Sequence, residues 1–509
     1  MPNPRATELL IHLDPKASLT LQQQIYEAIR RAILDGVVAP GAKLPSSREL
    51  AIDLDVSRTT TLLAYEQLIA EGYVIARRGA GSFVSLELPH DVLRAGPRAR
   101  PRAARHPLLS RRGRALADVP GTTHRIDGPP RAFRLGTPAL DLFPIRLWGR
   151  LVSRRVQSST LRDLDYGSFA GLEALREAIA AWVQPARGTR CTADQVIIVS
   201  GSKPGLDLIC RLLLDPGDPA WMEEPGFSGV RAALRAAGAE IVPVRVDAEG
   251  LDVRDGIRRA PHARLACITP SHQFPLGIPM SLRRRLELLK WARGAGAWIV
   301  EDDYDSEFRH GTHAVPCLHG LDSDGRVIYV GSFSKTLFPA LRLGFLLVPA
   351  DLRDVFVAAR RGIDHHPPTL DQEVLADFIA EGHYERHLRR MRSAYRERLE
   401  ALTAAADRYC RGAIGIRPVR TGLHVVADVA GVDVAAVCRE AAAREIEVMP
   451  LSNYFVGRPL DANALVLGFG SLLPDVCDEG MKRLAAAVDA ARADSSRKRR
   501  RPAAAAGSR

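Results

Sequence analysis

Residues 327–344 read VIYVGSFSKTLFPALRLG. The four apolar residues 327–330 have the length and composition of a fully buried strand. They run into a Ser-rich loop that carries Lys335, and Arg342 follows seven residues later. A lysine delivered to a strand end is placed for chemistry, because parallel α/β sheets gather their sites beyond the carboxyl ends of their strands. Lysine is also scarce, with only Lys16, Lys43, Lys203, Lys290, Lys335, Lys482 and Lys498 in the chain. Lys16 and Lys43 belong to the N-terminal part, Lys498 to the last residues, and Lys290 and Lys482 to helical segments. Lys335 alone follows a strand in a Ser-rich loop.

Two further stretches share this layout. AWIVEDDYD (297–305) is an apolar strand ending in acids, and VIIVSGSKPGLDL (196–208) is a strand, a Gly-Ser turn and a helix start. A helix beginning after Gly201-Ser202 offers free backbone N–H groups to a phosphate. A loop lysine, an acid at a neighbouring strand end and a phosphate nest are together what pyridoxal 5'-phosphate requires. The lysine forms the Schiff base, and the acid keeps the pyridine nitrogen protonated. From 131 to 493 apolar runs alternate with amphipathic helices, which predicts a layered α/β domain.

The whole chain has 509 residues, 46% hydrophobic and 26% charged, enough for two or three domains with buried cores. No run of 18 apolar residues occurs, which predicts a cytoplasmic protein with no membrane partner. Seven scattered cysteines without a CxxC pair exclude a disulfide frame and predict no metal site. The net charge of +12 is unevenly placed. Segment 91–135 nets +8 and segment 492–509 nets +6, so the remainder is nearly neutral. Residues 89–130, rich in Arg, Pro and Gly, are expected to be a linker, and 494–509 a disordered basic tail.

Residues 8–88 read as a separate unit. Leu21, Ile25, Ile29 and Ile33 recur at helical spacing behind a capping box of Thr20 and Gln23. A second box, Ser46 with Glu49, opens a short helix, and Ser57 caps a third in which Leu63, Leu68 and Ile69 are expected to face inward. Segments 73–75 and 82–85 read as strands around the turn RRGAG (77–81). Three helices and a glycine hairpin make a winged helix-turn-helix. In that geometry the start of the third helix meets base edges in the major groove of double-stranded DNA. Arg58 can grip guanine there with its fork, and Ser57, Thr59 and Thr61 are the further candidates beside it. Arg48 is placed for a phosphate, and Gly81 lets the wing approach the minor groove.

LPSSRELA (44–51), VSRTT (56–60), AYEQLIAEGYV (64–74) and RRGAGSFV (77–84) resemble the winged helix of GntR regulators. TPSHQFPLG (269–277), EDDYDSEF (301–308), GSFSKTLFPALRLG (331–344) and GLHVV (422–426) resemble the MocR group, in which such a winged helix is fused to a fold-type-I aminotransferase-like domain. The resemblance spans 8–88 and 131–490. It implies that Lys335 carries the cofactor, Asp302 pairs with the pyridine nitrogen and Tyr304 bonds the ring hydroxyl. It further implies that Ser332, Arg342, Gly201, Ser202 and Lys203 hold the phosphate, and that Phe227 stacks on the ring. Tyr166 is the candidate for reaching the partner subunit's phosphate, since fold-type-I sites are shared in a homodimer. His272 and Gln273 lie near the cofactor in this resemblance, with packing as the other reading.

The chain also departs from transaminases. Its phosphate turn reads Gly201-Ser202-Lys203-Pro204-Gly205, Phe274 stands where an Asn is common, and Val466 stands where an Arg grips the substrate carboxylate. The expectation is therefore a regulator that senses pyridoxal phosphate or a small amino compound. The alternative is a working aminotransferase with an accessory DNA-binding domain.

Overall fold

The computed structural model describes residues 11–88 except Pro15, Lys16, Ser18, Arg78 and Glu87; 109–119 except Asp118; and 131–500 except 310–315, Arg420 and 458–461. The chain divides into two compact units, residues 1–108 and 109–509.

The first unit is built from α1 (Leu21–Leu34), α2 (Ser47–Asp53), α3 (Arg58–Ala70) and a hairpin of β1 (Val74–Arg77) and β2 (Gly81–Val84). Both capping boxes form, with Thr20 and Ser46 each accepting from the third helical N–H while Gln23 and Glu49 reach back. Ser57 accepts from the Thr60 N–H at 3.1 Å and starts α3. The core is Ile25, Ile29, Ile33, Leu44, Leu50, Ala64, Tyr65, Leu68 and Val84, with neighbours. The inward set of α3 differs from the expectation. Leu63 and Ile69 are exposed, and Thr61, Ala64, Tyr65 and Leu68 are buried. Tyr65 fixes that rotation, because its hydroxyl donates to the Pro45 carbonyl at 2.8 Å from inside the core.

The second unit is organised on an eight-stranded sheet of order β3-β10-β9-β8-β7-β4-β5-β6. Its strands are β3 (Val196–Val199), β4 (Pro219–Glu224), β5 (Glu240–Asp247), β6 (Gly250–Leu251), β7 (Leu265–Ile268), β8 (Trp298–Asp303), β9 (Val327–Ser332) and β10 (Gly344–Leu347). β5, β4, β7, β8 and β9 run parallel, while β10 is antiparallel to both β9 and β3. β3, β8 and β9 therefore all point their carboxyl ends the same way. Their residues are nearly all buried on both faces, as expected for strands covered by helices. A four-stranded antiparallel sheet, β11 (Ile414–Ile416), β12 (His424–Val429), β14 (Ala464–Gly468) and β13 (Met449–Pro450), forms the smaller layer.

Two boundaries differ from the sequence reading. Within the stretch expected to be linker, α4 (Arg111–Ala117) is helical and packs on α8 (Ser228–Ala237), whose Arg235 donates to the Ala115 carbonyl at 3.3 Å. The last helix, Pro474–Arg500, continues past the expected end of the domain at 493. Between α4 and α8 lie α5 (Ile145–Ser158), α6 (Glu173–Arg187) and α7 (Ser202–Leu213). Among the described residues no helix is long and apolar enough to cross a membrane.

Candidate functional site

In the winged unit, Arg48, Ser57, Arg58, Thr59 and Gly81 are all exposed. Arg58 is the first residue of α3 and stands directly behind its cap. Gly81 opens β2 with φ of 108°, a conformation that favours glycine. Thr61 is a correction. It is fully buried, and its hydroxyl donates to the Ser47 carbonyl at 2.7 Å and the Arg58 carbonyl at 3.0 Å. That side chain ties α2 to α3 and has nothing left for a base. Residues one and four of a helix share a face, but here the fourth falls on the side that meets α2.

In the larger unit a cavity of about 260 Å³ opens at the carboxyl ends of β8 and β9. Ser202, Lys203, Phe227, Asp302, Tyr304, Ser332, Lys335 and Arg342 line it, brought together from four separate parts of the chain. Gly201 is adjacent, and a Cβ there would meet the Arg342 guanidinium at 3.2–3.3 Å. Gly201 also takes φ of 108° and leaves the start of α7 without a side-chain cap. The first N–H groups of that helix thus stay available next to Lys203 and Arg342. Tyr166 is the predicted residue that the cavity does not gather. It is 77% exposed and lies against His365, with ring centroids 5.0 Å apart.

Electrostatics separate the two neighbouring aspartates. Asp302 is buried, and its Oδ1 has no hydrogen-bond partner. Burial, reinforced by Asp303, Glu223 and Asp305, pushes its carboxyl up to about 7. Burial would raise Asp303 as well, but Arg187 outweighs it, together with hydrogen bonds from Ser306 and Tyr329, and holds it below the usual range. Arg187 Nε reaches Asp303 at 2.7 Å and its Nη2 reaches Glu307 at 2.5 Å. Asp303 is therefore fully engaged in structure, while Asp302 keeps an acceptor free. Lys335 Nζ donates to the Gly136 carbonyl at 2.7 Å, and its enclosed position lowers it to about 8. That leaves a usable fraction of free amine near neutral pH. A Cβ at Gly136 would lie 2.5 Å from Nζ and push the lysine aside, and its φ of 73° also favours glycine.

Sequence reasoning did not single out Gly136, Asp305 or His424, although Asp305 and His424 sit inside quoted motifs. Asp305 and His424 line the cavity. His272 Nδ1 lies 2.9 Å from Asp305 and 3.0 Å from the Tyr304 hydroxyl. Donor atoms of His272, Asp305 and His424 fall within 4.8 Å of one another. His272 Nδ1 is engaged by Asp305 and Tyr304 and His424 Nε2 donates to the Pro275 carbonyl at 3.1 Å, while the buried His272 Nε2 has no hydrogen-bond partner.

This donor set fits pyridoxal phosphate. An orphaned carboxyl oxygen suits a cationic ring nitrogen, an uncapped helix start between two cations suits a phosphate, and Lys335 supplies the amine. When bound, the cofactor supplies a carbonyl carbon that links to amines and a ring that draws electrons.

Comparisons with known proteins agree. The family described as "Aminotransferase class I and II" matches residues 151–456, and "Bacterial regulatory proteins, gntR family" matches residues 21–84. The chain is 39% identical over 479 residues to the probable rhizopine catabolism regulatory protein MocR of Rhizobium meliloti, covering 94% of this chain and 96% of that one. It is 31% identical over 470 residues to the pyridoxine biosynthesis transcriptional regulator PdxR of Corynebacterium glutamicum, covering 91% and 95%. Its larger unit is similar to the α-aminoadipate aminotransferase LysN of Thermus thermophilus in complex with N-(5'-phosphopyridoxyl)-L-leucine. The TM-score is 0.66 at 29% identity, over 71% of this chain and 92% of that one. The chain belongs to the MocR-type transcription regulators, in which a GntR winged helix is joined to an aminotransferase-like domain that binds pyridoxal phosphate.

Proposed function

We propose that this regulator reads DNA through residues 8–88 and senses an amino compound through a pyridoxal phosphate held in residues 131–493. Lys335 carries the cofactor covalently, Asp302 faces the ring nitrogen and Tyr304 the ring hydroxyl. Ser332, Arg342, Gly201, Ser202 and Lys203 hold the phosphate, and Phe227 covers the ring. The observation that carries this reading is the convergence of the Asp302 Oδ1 orphan, Lys335 Nζ and the uncapped start of α7 on one cavity. Arg58 is the base-reading residue, with Ser57 and Thr59 beside it, Arg48 on phosphate and Gly81 at the wing.

The functional form is a cytoplasmic homodimer. Its support is the row of exposed large apolar side chains Ile145, Val156, Leu161, Leu164 and Tyr166 on α5 and the turns after it. A second copy covering that row would bring Tyr166 toward the partner's phosphate. Transamination of ordinary amino acids is expected to be weak or absent, because Val466 offers no grip for a carboxylate.

The test is to reduce the purified full chain with borohydride and map the modified peptide. A label at Lys335 is expected, and a label at any other lysine, or none, overturns the cofactor assignment. A gel-shift on the upstream region of its own gene, with and without cofactor, is expected to show binding that differs between the two.

A further inference from the structure

We propose that the effector of this cavity is a primary amine carrying no acidic group. The inference rests on the proposed role of Lys335 as the residue that holds the cofactor. The cavity is electrically lopsided. Among its described lining residues the cations are Lys203, Arg342 and Lys335. The first two flank the phosphate-binding start of α7 and are committed there, and the third is the linking lysine. Leu135, Phe274, Leu423 and His424 also line the cavity, with the Phe274 and His424 rings 5.2 Å apart.

His424 does not supply a charge. Its Nε2 is spent on the Pro275 carbonyl, and burial beside His272 pushes it down to about 3, so it is neutral at physiological pH. Val466 on β14 is fully buried in a cluster with Leu135, Val426 and Tyr454, and Phe274 packs on it. Arg134, the chain neighbour of Leu135, pairs with Glu447 at 3.3 Å and does not line the cavity. Two carboxyl groups, Asp302 and Asp305, face the same space. A carboxylate or sulfonate entering here would lose its water against apolar walls, with no uncommitted cation among the described lining residues to replace it. A neutral alkyl or aryl group would lose nothing comparable.

The binding step balances as an exchange. The amine nitrogen forms a C=N bond to the cofactor's carbonyl carbon as the C=N bond to Lys335 breaks. Two protons pass from the incoming nitrogen to Nζ, which leaves as a free amine, and nothing is oxidised or reduced.

The experiment uses the full chain loaded with cofactor and two matched pairs: 3-methylbutylamine against leucine, and propylamine against 4-aminobutanoate. The change in the cofactor's visible band is followed as each is titrated, normalised to the same compound with free pyridoxal phosphate. The amines are expected to act at tenfold or more lower concentration than their acid-bearing partners. Equal or better response to leucine or 4-aminobutanoate overturns the proposal, as does an intact band that answers neither amine. Failure of the underlying reading is separable, because it appears as the absence of a borohydride label at Lys335 before any amine is added.

Discussion

The two units place the atoms proposed to work in opposite environments. In the winged unit Arg48, Ser57, Arg58 and Thr59 stand in solvent on a scaffold whose core lies elsewhere. In the larger unit Asp302, Tyr304 and Arg187 sit inside the packing itself, and the side chains proposed to bind also fill the core. A site on a surface is set by which face of a helix is left uncovered. A buried site is set by which polar atoms the fold leaves unsatisfied. The first should lose function on substitution without losing stability, and the second should lose both.

The largest expected effect breaks the buried network. Arg187 is 5% exposed at its side chain and neutralises both Asp303 and Glu307. Arg187→Ala strands two buried carboxylates, and urea unfolding should show the larger unit destabilised by about 3–5 kcal/mol. Arg48→Ala, on the exposed face of α2, should move the first unit's midpoint by no more than about 0.5 kcal/mol. Similar values for the two would erase the contrast.

The pH response should also differ in sign. Asp302, Glu223 and Glu301 are raised to about 7, each chiefly by burial. A raised carboxyl stabilises the fold fully below its unfolded value near 4, and that contribution is lost as pH climbs to 7. The cofactor-free larger unit should therefore be more stable at pH 5 than at pH 8, by roughly 1–3 kcal/mol. Asp302→Asn should flatten part of that slope. In the winged unit, hydrogen bonds from the Ser46 backbone and hydroxyl lower Glu49, and bonds from Tyr26 and Gln67 lower Glu71. Their contribution is present above pH 4.5 and lost below it. Urea midpoints at pH 4, 5 and 8, followed separately for each unit, check both signs.

The strands that end at the site were legible because each is a short apolar run followed at once by its chemistry. Asp302-Asp303, Ser332 to Lys335 and Gly201-Ser202 could be read from local pattern alone. The choice of Asp302 over Asp303 rested on resemblance, and its physical cause, Arg187 on α6, lies more than a hundred residues away. Gly136 and His424 carry no local signal, since one is a glycine that makes room and the other a histidine on a distant strand. Thr61, Leu63 and Ile69 were misplaced because α3 buries Ala64 and Tyr65, and a small residue with an aromatic leaves no clear apolar stripe. The seven residues of α4 lie in an Arg-rich run with no apolar stripe, so the Ser110 cap, whose hydroxyl accepts from the Gly113 N–H at 3.0 Å, gave too little signal, and the helix is held by packing on α8.

On the surface side, Arg58→Ala should relax base preference by about 1–3 kcal/mol in binding to matched and mismatched operators. The thermal midpoint of the winged unit should stay where it was. An unchanged preference removes Arg58 from base reading, and a large fall in midpoint would make this face as structural as the buried site.

Ser57 is where the contrast is thinnest, because one hydroxyl caps α3 and is also proposed to face DNA. Ser57→Ala removes the acceptor for the Thr60 N–H and should cost about 1 kcal/mol of stability. It should weaken DNA binding too, so this variant alone cannot separate the roles. Ser57→Asp does separate them. An aspartate caps as well as a serine and favours the positive end of the helix, so stability should hold. Its charge would face the phosphates, so affinity should fall, and fall most at low salt where repulsion is least screened. If Ser57→Asp binds DNA as tightly as the parent chain, Ser57 acts through the cap alone. The surface site then begins at Arg58, one residue further into α3.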